Sequence, residues 1–516
     1  MALMGIDIGT SGTRTIIIDE RGRLLGAASA EYPVSSPRPL WSEQDPEDWW
    51  KAVVKTVRAV LAQSGVKPDA IRGIGLSGQM HGLCCLDQAG KVLRPAILWN
   101  DGRTQAECEE ITRRAGGPAR LIGLVQNPAL TGFTAPKILW VRRHEPRIYA
   151  RTRQFLLPKD YIRFRLTGQY ATEVSDASGT LLLDVKKRQW SKALMSKLQI
   201  DSALLPAVYE SPEVSGAVLK TAATATGLQA GTPVVGGGGD QAAGAVGNGI
   251  VKRGVISVTM GTSGVAFAHC DRVEVDPAGR VHTFCHAVPG CWHVMGVVLS
   301  AGGALQWARN ALCEGERRAA AKSGRDVYEA LDRAAGAVAP GSEGLYLLPY
   351  FTGERTPHAD PYARASFVGL TPRHGKAHLL RATMEGAAYA LRDTIGIFRK
   401  MKVPLSEVRL SGGGAKGATF RSIQAAMYGG EIGAAARIVR TNAAEGPAYG
   451  VALLAGVGTG VWKTVAEATG ATIRVTERVA VDRQAAQAYT RRYPVFQRLY
   501  PALKAEFAAI HRLEAR

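Results

Sequence analysis

The tetrapeptide Gly-Thr-Ser-Gly stands at two places in this chain, Gly9 to Gly12 and Gly261 to Gly264, roughly half the chain apart. Each copy lies between short apolar runs. Leu3-Met4-Gly5-Ile6-Asp7-Ile8 and Thr15-Ile16-Ile17-Ile18 flank the first; Val255-Ile256-Ser257-Val258-Thr259-Met260 and Val265-Ala266-Phe267-Ala268 flank the second. Strand, glycine-rich turn, strand is a hairpin whose tip offers free backbone N–H groups and hydroxyls. Glycine lets such a tip turn tightly and approach an anion closely. One copy carries little information, because Gly, Ser and Thr turns join strands everywhere. Two copies predict a duplicated architecture with one phosphate hairpin in each half, and a nucleotide held between the halves.

A chain of 516 residues exceeds a single core and predicts at least two domains. With 46% hydrophobic and 21% charged residues it falls in the ordinary soluble range. No uncharged apolar run of about 18 residues occurs, and no basic stretch leads into a long apolar core, so neither a membrane span nor a signal peptide is expected. The seven cysteines have neither C-x-x-C nor zinc spacing, which fits free thiols in a reducing cytoplasm. Adjacent Cys84 and Cys85 read as core. The net charge of +20 is unusual, but its Lys and Arg are scattered and not interleaved with aromatics. That reads as a solvated basic surface attracting anionic substrates, with no nucleic-acid site and no membrane contact.

Strand and helix signals alternate in the first third, with a helix from about Pro46 to Gln63 capped by Asp45. Strands at Ile71–Leu76 and Leu83–Leu86 flank Ser77-Gly78-Gln79-Met80-His81-Gly82. The domain boundary is placed near 248–254, giving domains 1–248 and 254–516. A long apolar helix is expected over His378–Phe398, then a strand running into Ser411-Gly412-Gly413-Gly414-Ala415. From Asp482 onward the pattern is helical, aromatic-bearing and interrupted at Pro494 and Pro501.

Asp240 follows four glycines, Gly236 to Gly239, at a strand-to-helix transition. A carboxylate there can be approached closely and is held ionised by the helix N-terminus, which suits a general base acting on a hydroxyl. A plain helix cap is the alternative, although capping alone does not need the tetraglycine run. Asp7, on a strand expected to be buried, is costly unless paired or near a cation. Its place before the first hairpin suggests Mg²⁺ bound with nucleotide; a structural Asp bonded to nearby N–H groups is the alternative. Gln79, Met80 and His81 could exchange hydrogen bonds with a polyol and line one sugar face, or form a surface turn. Trp99-Asn100-Asp101-Gly102-Arg103 is equally ambiguous. The Gly412–Gly414 turn could receive a flat adenosine group.

Together these segments carry a resemblance. Met4-Gly5-Ile6-Asp7-Ile8-Gly9-Thr10-Ser11-Gly12-Thr13 resembles the opening of the FGGY carbohydrate kinases. Leu40–Pro46, Gly78–Gly82, Ile97–Arg103, Gly132–Lys137, Leu157–Tyr161, Ser175–Thr180, Gly239–Ala245, Gly353–His358 and Ser411–Ala415 are similar to the branch of that family acting on D-xylulose. The match runs in order from residue 3 to about residue 500. It implies an α/β, two-domain, actin/hexokinase-like (ribonuclease H-like) duplicated fold with an interdomain cleft. The implied activity is ATP-dependent phosphorylation of D-xylulose to D-xylulose 5-phosphate, with ATP and Mg²⁺.

The resemblance also implies roles. Asp240 corresponds to the catalytic base, Met80 and His81 to the pentulose-contacting pair with Gln79 beside them, and Gln241 to a further sugar contact. Thr10, Ser11 and Arg14 correspond to the first phosphate segment, Gly261 and Thr262 to the second. Gly302, Gly413 and Gly414 correspond to nucleotide-contacting glycines, and Asp7 to the carboxylate associated with Mg²⁺. Met80-His81 stands where glycerol kinases usually carry Arg-Glu, which argues against glycerol. Gly417 replaces a common Ser and Phe420 a frequent Trp, both on the adenine side. A kinase for another ketopentose or polyol, such as ribulose or ribitol, remains an alternative, as does a non-catalytic ATP-binding scaffold. A homodimer is compatible with the resemblance.

Overall fold

The computed structural model of the chain describes residues 1–433, 435–443 and 445–514. The first sheet is built from β1 (Ala2–Ile8), β2 (Gly12–Asp19), β3 (Leu24–Glu31), β4 (Ile71–Gly78), β5 (Val214–Ala217), β6 (Pro233–Val235) and β7 (Gly238–Gly239). Its order is β5-β6-β4-β1-β2-β3, with β7 beside β4. β1, β2 and β3 form an antiparallel meander, β4 and β6 run parallel to β1, and β5 returns antiparallel at the edge. Helices α1 (Pro46–Ser64), α2 (Pro158–Thr167), α3 (Val174–Ser178) and α4 (Asp240–Gly247) belong to this half. Asp45 caps α1 by accepting from Glu47 N–H.

The second sheet contains β8 (Gly254–Met260), β9 (Gly264–Cys270), β10 (His282–Cys285), β11 (Trp292–Val298), β12 (Leu405–Ser411), β13 (Arg437–Thr441) and β14 (Val475–Val479). Its order, β10-β11-β9-β8-β12-β13-β14, repeats the first with one added strand. β8, β9 and β11 are the antiparallel meander, β12 and β13 run parallel to β8, and β14 is the antiparallel edge. The duplication predicted from the two tetrapeptides therefore extends to strand direction and register. Asp7 lies opposite Ser77 across β1 and β4, and Thr259 lies opposite Ser411 across β8 and β12.

Around the second sheet pack α5 (Ala301–Leu312), α6 (Val327–Gly336), α7 (Lys376–Lys400), α8 (Ala418–Ile432), α9 (Gly446–Gly458) and α10 (Arg483–Glu514), with one exception. α9 leaves its own half and lies on the first sheet, against β1 and β4. A β-carbon added to Gly5 would sit 1.9 Å from Ala448 O, and one on Gly75 would sit 1.9 Å from Val451 O. Only glycine admits the helix at that distance. Leu3, Ile16, Ile18 and Val235 of the first half thus share a core with Ala448, Val451, Leu454 and Ala455.

The tail differs from its sequence pattern: α10 is one helix through both Pro494 and Pro501. The two prolines stand seven residues apart on the solvent side, opposite buried Tyr489, Phe496, Tyr500 and Phe507. Each removes one backbone donor. Burial of the aromatic face against the second core offsets that loss, and the missing bonds fall where water can satisfy the freed carbonyls.

Candidate functional site

The two hairpin tips are Gly9–Gly12, joining β1 to β2, and Gly261–Gly264, joining β8 to β9. Gly9 N–H closes the first onto Gly12 O at 3.0 Å, and Gly261 N–H closes the second onto Ser263 O at 2.9 Å. The start of α5 rests on the second tip, with Gly302 N–H bonded to Gly261 O at 3.0 Å and Gly303 N–H to Thr262 O at 2.8 Å. Ser11 is exposed at the first tip. Thr10 is fixed behind it: its hydroxyl accepts from Trp99 Nε1 at 2.9 Å and its carbonyl from Gln44 Nε2 at 2.6 Å. Arg14 pairs with Glu445, at the start of α9, at 2.5 Å.

Asp7 stands at the end of β1, two residues before the first tip. Burial raises its carboxyl to about 6, while the Ser77 hydroxyl facing it pulls the other way. One of its oxygens, Oδ1, is buried without a hydrogen-bond partner. Asp240 opens α4, with Gly239 in the cap position. Burial is the main reason its carboxyl rises to about 7; the charge of Asp7 adds to it, and Gln241 opposes through its backbone and side chain. Two carboxylates therefore face one space from opposite ends of the first half's sequence.

The glycine run before Asp240 is held from behind by a buried polar cluster. Lys159 Nζ lies 2.6 Å from Asp160, 3.1 Å from Asp176 and 3.6 Å from Glu173, all four side chains without solvent exposure. Arg163 donates to the carbonyls of Val235 and Gly236 at 2.6 and 2.5 Å. Ser175 Oγ donates to Glu173 at 2.9 Å and accepts from Gly239 N–H at 3.1 Å. The backbone immediately before Asp240 is thereby fixed on Arg163 of α2 and Ser175 of α3.

Met80 packs on the same backbone, its Cγ 3.0 Å from where a β-carbon on Gly239 would be. His81 is buried with a left-handed backbone, φ 70°, and its Nδ1 bonds Gly179 O at 2.7 Å. Burial first, and then the charge of Lys137, hold its imidazole well below the ordinary histidine range, so it is neutral. Lys137 ties two loops together by donating to His81 O at 2.9 Å and Gly132 O at 2.7 Å. Gln79 is turned into the frame, its Nε2 donating to Gln44 Oε1 at 2.8 Å and its Oε1 buried without a partner. Gln241, half-buried, stands beside Asp240.

On the other side of the cleft, the duplicated position of the Gly78-Gln79-Met80 loop is Gly412-Gly413-Gly414. Gly412 has φ 77°, and Gly413–Ala415 form a single 3₁₀ turn against Met260. The same topological slot carries a large polar loop in one half and a bare glycine turn in the other.

Sequence models of the FGGY family of carbohydrate kinases match residues 2–247 with the N-terminal domain and 256–459 with the C-terminal domain. The chain belongs to the FGGY family of carbohydrate kinases. The kinase is 41% identical over 500 residues to the xylulose kinase of Escherichia coli (strain K12), covering 97% of this chain and 99% of that one. It is 38% identical to the xylulose kinase of Bacillus subtilis (strain 168), covering 97% of each. Its fold superposes on the crystal structure of a xyloylose kinase from Brucella ovis with a TM-score of 0.87, at 36% identity, over 98% of this chain and 100% of that one. The two-lobed α/β architecture expected from the sequence is thus that of the family. Among the described residues no helix is long and apolar enough to cross a membrane.

Reading the FGGY sequence residue by residue did not assign Lys137, Lys159, Glu173, Ser175 or Gly179 to the site. All but Glu173 lie inside a segment that carries the resemblance, but the part each plays depends on atoms far away in sequence, which spacing does not reveal.

Proposed function

We propose that the protein phosphorylates D-xylulose at its terminal hydroxyl with ATP, giving D-xylulose 5-phosphate and ADP. The observation that carries this reading is the convergence of Asp240, Asp7, Met80 and His81 between two phosphate-type hairpins. The names of the full-length relatives support the choice of sugar.

Asp240 accepts the proton of the 5-hydroxyl while that oxygen forms its bond to the γ-phosphorus and the bond to ADP breaks. A carboxylate raised to about 7 is matched to this task, since it binds a proton more readily than an ordinary aspartate. The buried polar cluster and Ser175 hold Gly239, and hence Asp240, in place for the transfer. Met80 supplies an apolar wall and neutral His81 a hydrogen-bonding edge to the sugar, with Gln79 positioning the loop and Gln241 beside the base. Thr10, Ser11, Gly261 and Thr262 surround the phosphates with N–H and hydroxyl groups. Gly302 presses α5 onto the second tip. Gly413 and Gly414 leave room for adenosine.

The unpartnered Asp7 oxygen, facing a second carboxylate, fits a hard divalent cation. Asp7 would hold Mg²⁺ there, directly or through water, and the ion would supply positive charge to the phosphates. A cytoplasmic setting is consistent with seven free cysteines, six of them buried.

A coupled ADP-release assay over D-xylulose, ribulose, ribitol and glycerol tests the reading. D-Xylulose is expected to give the highest kcat/KM, and Asp240→Asn to lose about 10²- to 10⁴-fold in kcat while remaining folded. Near-normal turnover by the folded variant would remove Asp240 from the role of base.

A further inference from the structure

The segment between Phe351 and Pro361 in the second lobe is fastened to β11. Thr356 N–H donates to Val297 O at 3.0 Å, Val297 N–H returns to Thr356 Oγ1 at 3.1 Å, and Leu299 N–H donates to Glu354 Oε1 at 3.0 Å. Glu354 and Asp360 exchange backbone bonds at 2.9 and 2.8 Å across the loop. From this rigid base Arg355 reaches over the cleft to the first lobe. Its Nη2 lies 3.5 Å from the point a β-carbon on Gly132 would occupy, beside the carbonyl of Trp99. The guanidinium charge also acts on His81, Lys137 and His282, each of which is shifted chiefly by burial.

Among the described residues no hydrogen bond or ion pair engages that guanidinium. Glu354, its neighbour in sequence, turns Oε1 back to the N–H groups of Leu299 and Arg355. The contrast with Lys137 is informative. Lys137, in the same neighbourhood, meets two carbonyls and is plainly structural. A half-buried guanidinium with no acceptor in the protein keeps its donors free for a ligand. The guanidinium acts on His81 and Lys137 and lies beside Gly132. Arg355 therefore stands at the His81 end of the pocket.

We propose that Arg355 is a specificity residue, donating from the second lobe to the oxygens at the keto end of a ketopentose whose far hydroxyl faces Asp240. The inference rests on the sugar-kinase reading above and names which part of the sugar the second lobe senses. A guanidinium only donates, and a ketone oxygen only accepts; a bidentate grip on the carbonyl and a neighbouring hydroxyl matches both. Gly132 has no side chain to fill the space between them. Because the donor belongs to one lobe and Met80, His81 and Asp240 to the other, a bound ketose bridges the cleft.

Steady-state kinetics of Arg355→Gln and Arg355→Lys, with D-xylulose and with the corresponding polyol xylitol, test this. Arg355→Gln is expected to raise KM for D-xylulose about 10- to 100-fold, the loss typical of a hydrogen bond from a charged donor, with KM for ATP unchanged. The preference for D-xylulose over xylitol falls with it, and Arg355→Lys recovers part of both. Unchanged sugar KM and preference, with only a lower kcat or melting temperature, would assign Arg355 to the framework and overturn the proposal. A wild-type enzyme preferring another sugar overturns the substrate reading instead, and the variants are then compared on the sugar it does prefer.

Discussion

Burial raises the carboxyls of both Asp7 and Asp240, and at Asp240 the charge of Asp7 adds to it. Each carboxyl is pushed above the ordinary value of 3.8, Asp7 to about 6 and Asp240 to about 7. A carboxyl raised in the folded state binds its proton more tightly there than in the unfolded chain. Its contribution to stability is therefore fully present below about pH 4 and is lost as pH rises through about 7. In the ligand-free protein with chelator present, Asp240→Asn removes this loss. Its melting temperature is expected to match wild type near pH 4 and to exceed it by a growing margin up to pH 8. A margin that shrinks with rising pH would contradict an Asp240 carboxyl raised in the folded state. The proposed part of the pair in phosphoryl transfer, and not stability, is the reason to keep it.

At the scale of elements, the departure at Gly417 has a structural counterpart. Gly417 caps α8 without a side chain of its own, and Asp332 of α6 takes over the task. Its carboxylate accepts from Thr419 N–H at 2.9 Å and Phe420 N–H at 3.1 Å. A β-carbon on Gly417 would lie 2.2 Å from that carboxylate, so the cap supplied by another helix excludes the local one. Asp332→Ala is expected to cost about 1–2 kcal/mol, measured by denaturant unfolding, by leaving these donors uncapped. An unchanged unfolding curve would show that water serves α8 equally well.

Sequence reading reached β1, β2, β8, β9, α1 and α7 because each has a clean period or a turn signal at its ends. It placed Asp240 at a strand-to-helix junction for the same reason. It did not foresee that α10 runs through two prolines, since the compensating aromatic face is defined only by what it packs on. The Lys159 cluster behind Gly239 was equally hidden: Lys159, Asp160, Glu173 and Asp176 look like an ordinary solvated face until the fold turns them inward.

For the molecule as a whole, the decisive element is α9. Although it follows β13 in the second half, it covers the β1 and β4 face of the first sheet and crosses α4, where Gly450 meets Ala243 and Gly247 meets Gly446. A chain divided between 248 and 254 would leave the N-terminal fragment with Leu3, Ile16, Ile18 and Val235 uncovered. The C-terminal fragment would carry an unsheltered apolar helix. Each fragment made alone is expected to aggregate, and the two made together to assemble into a complex that turns over substrate, as size-exclusion chromatography and the ADP assay would read. Soluble, folded fragments made separately would contradict it. The duplicated halves thus behave as interlocked partners: a helix lent across the cleft makes a break in the chain more tolerable than the loss of either piece.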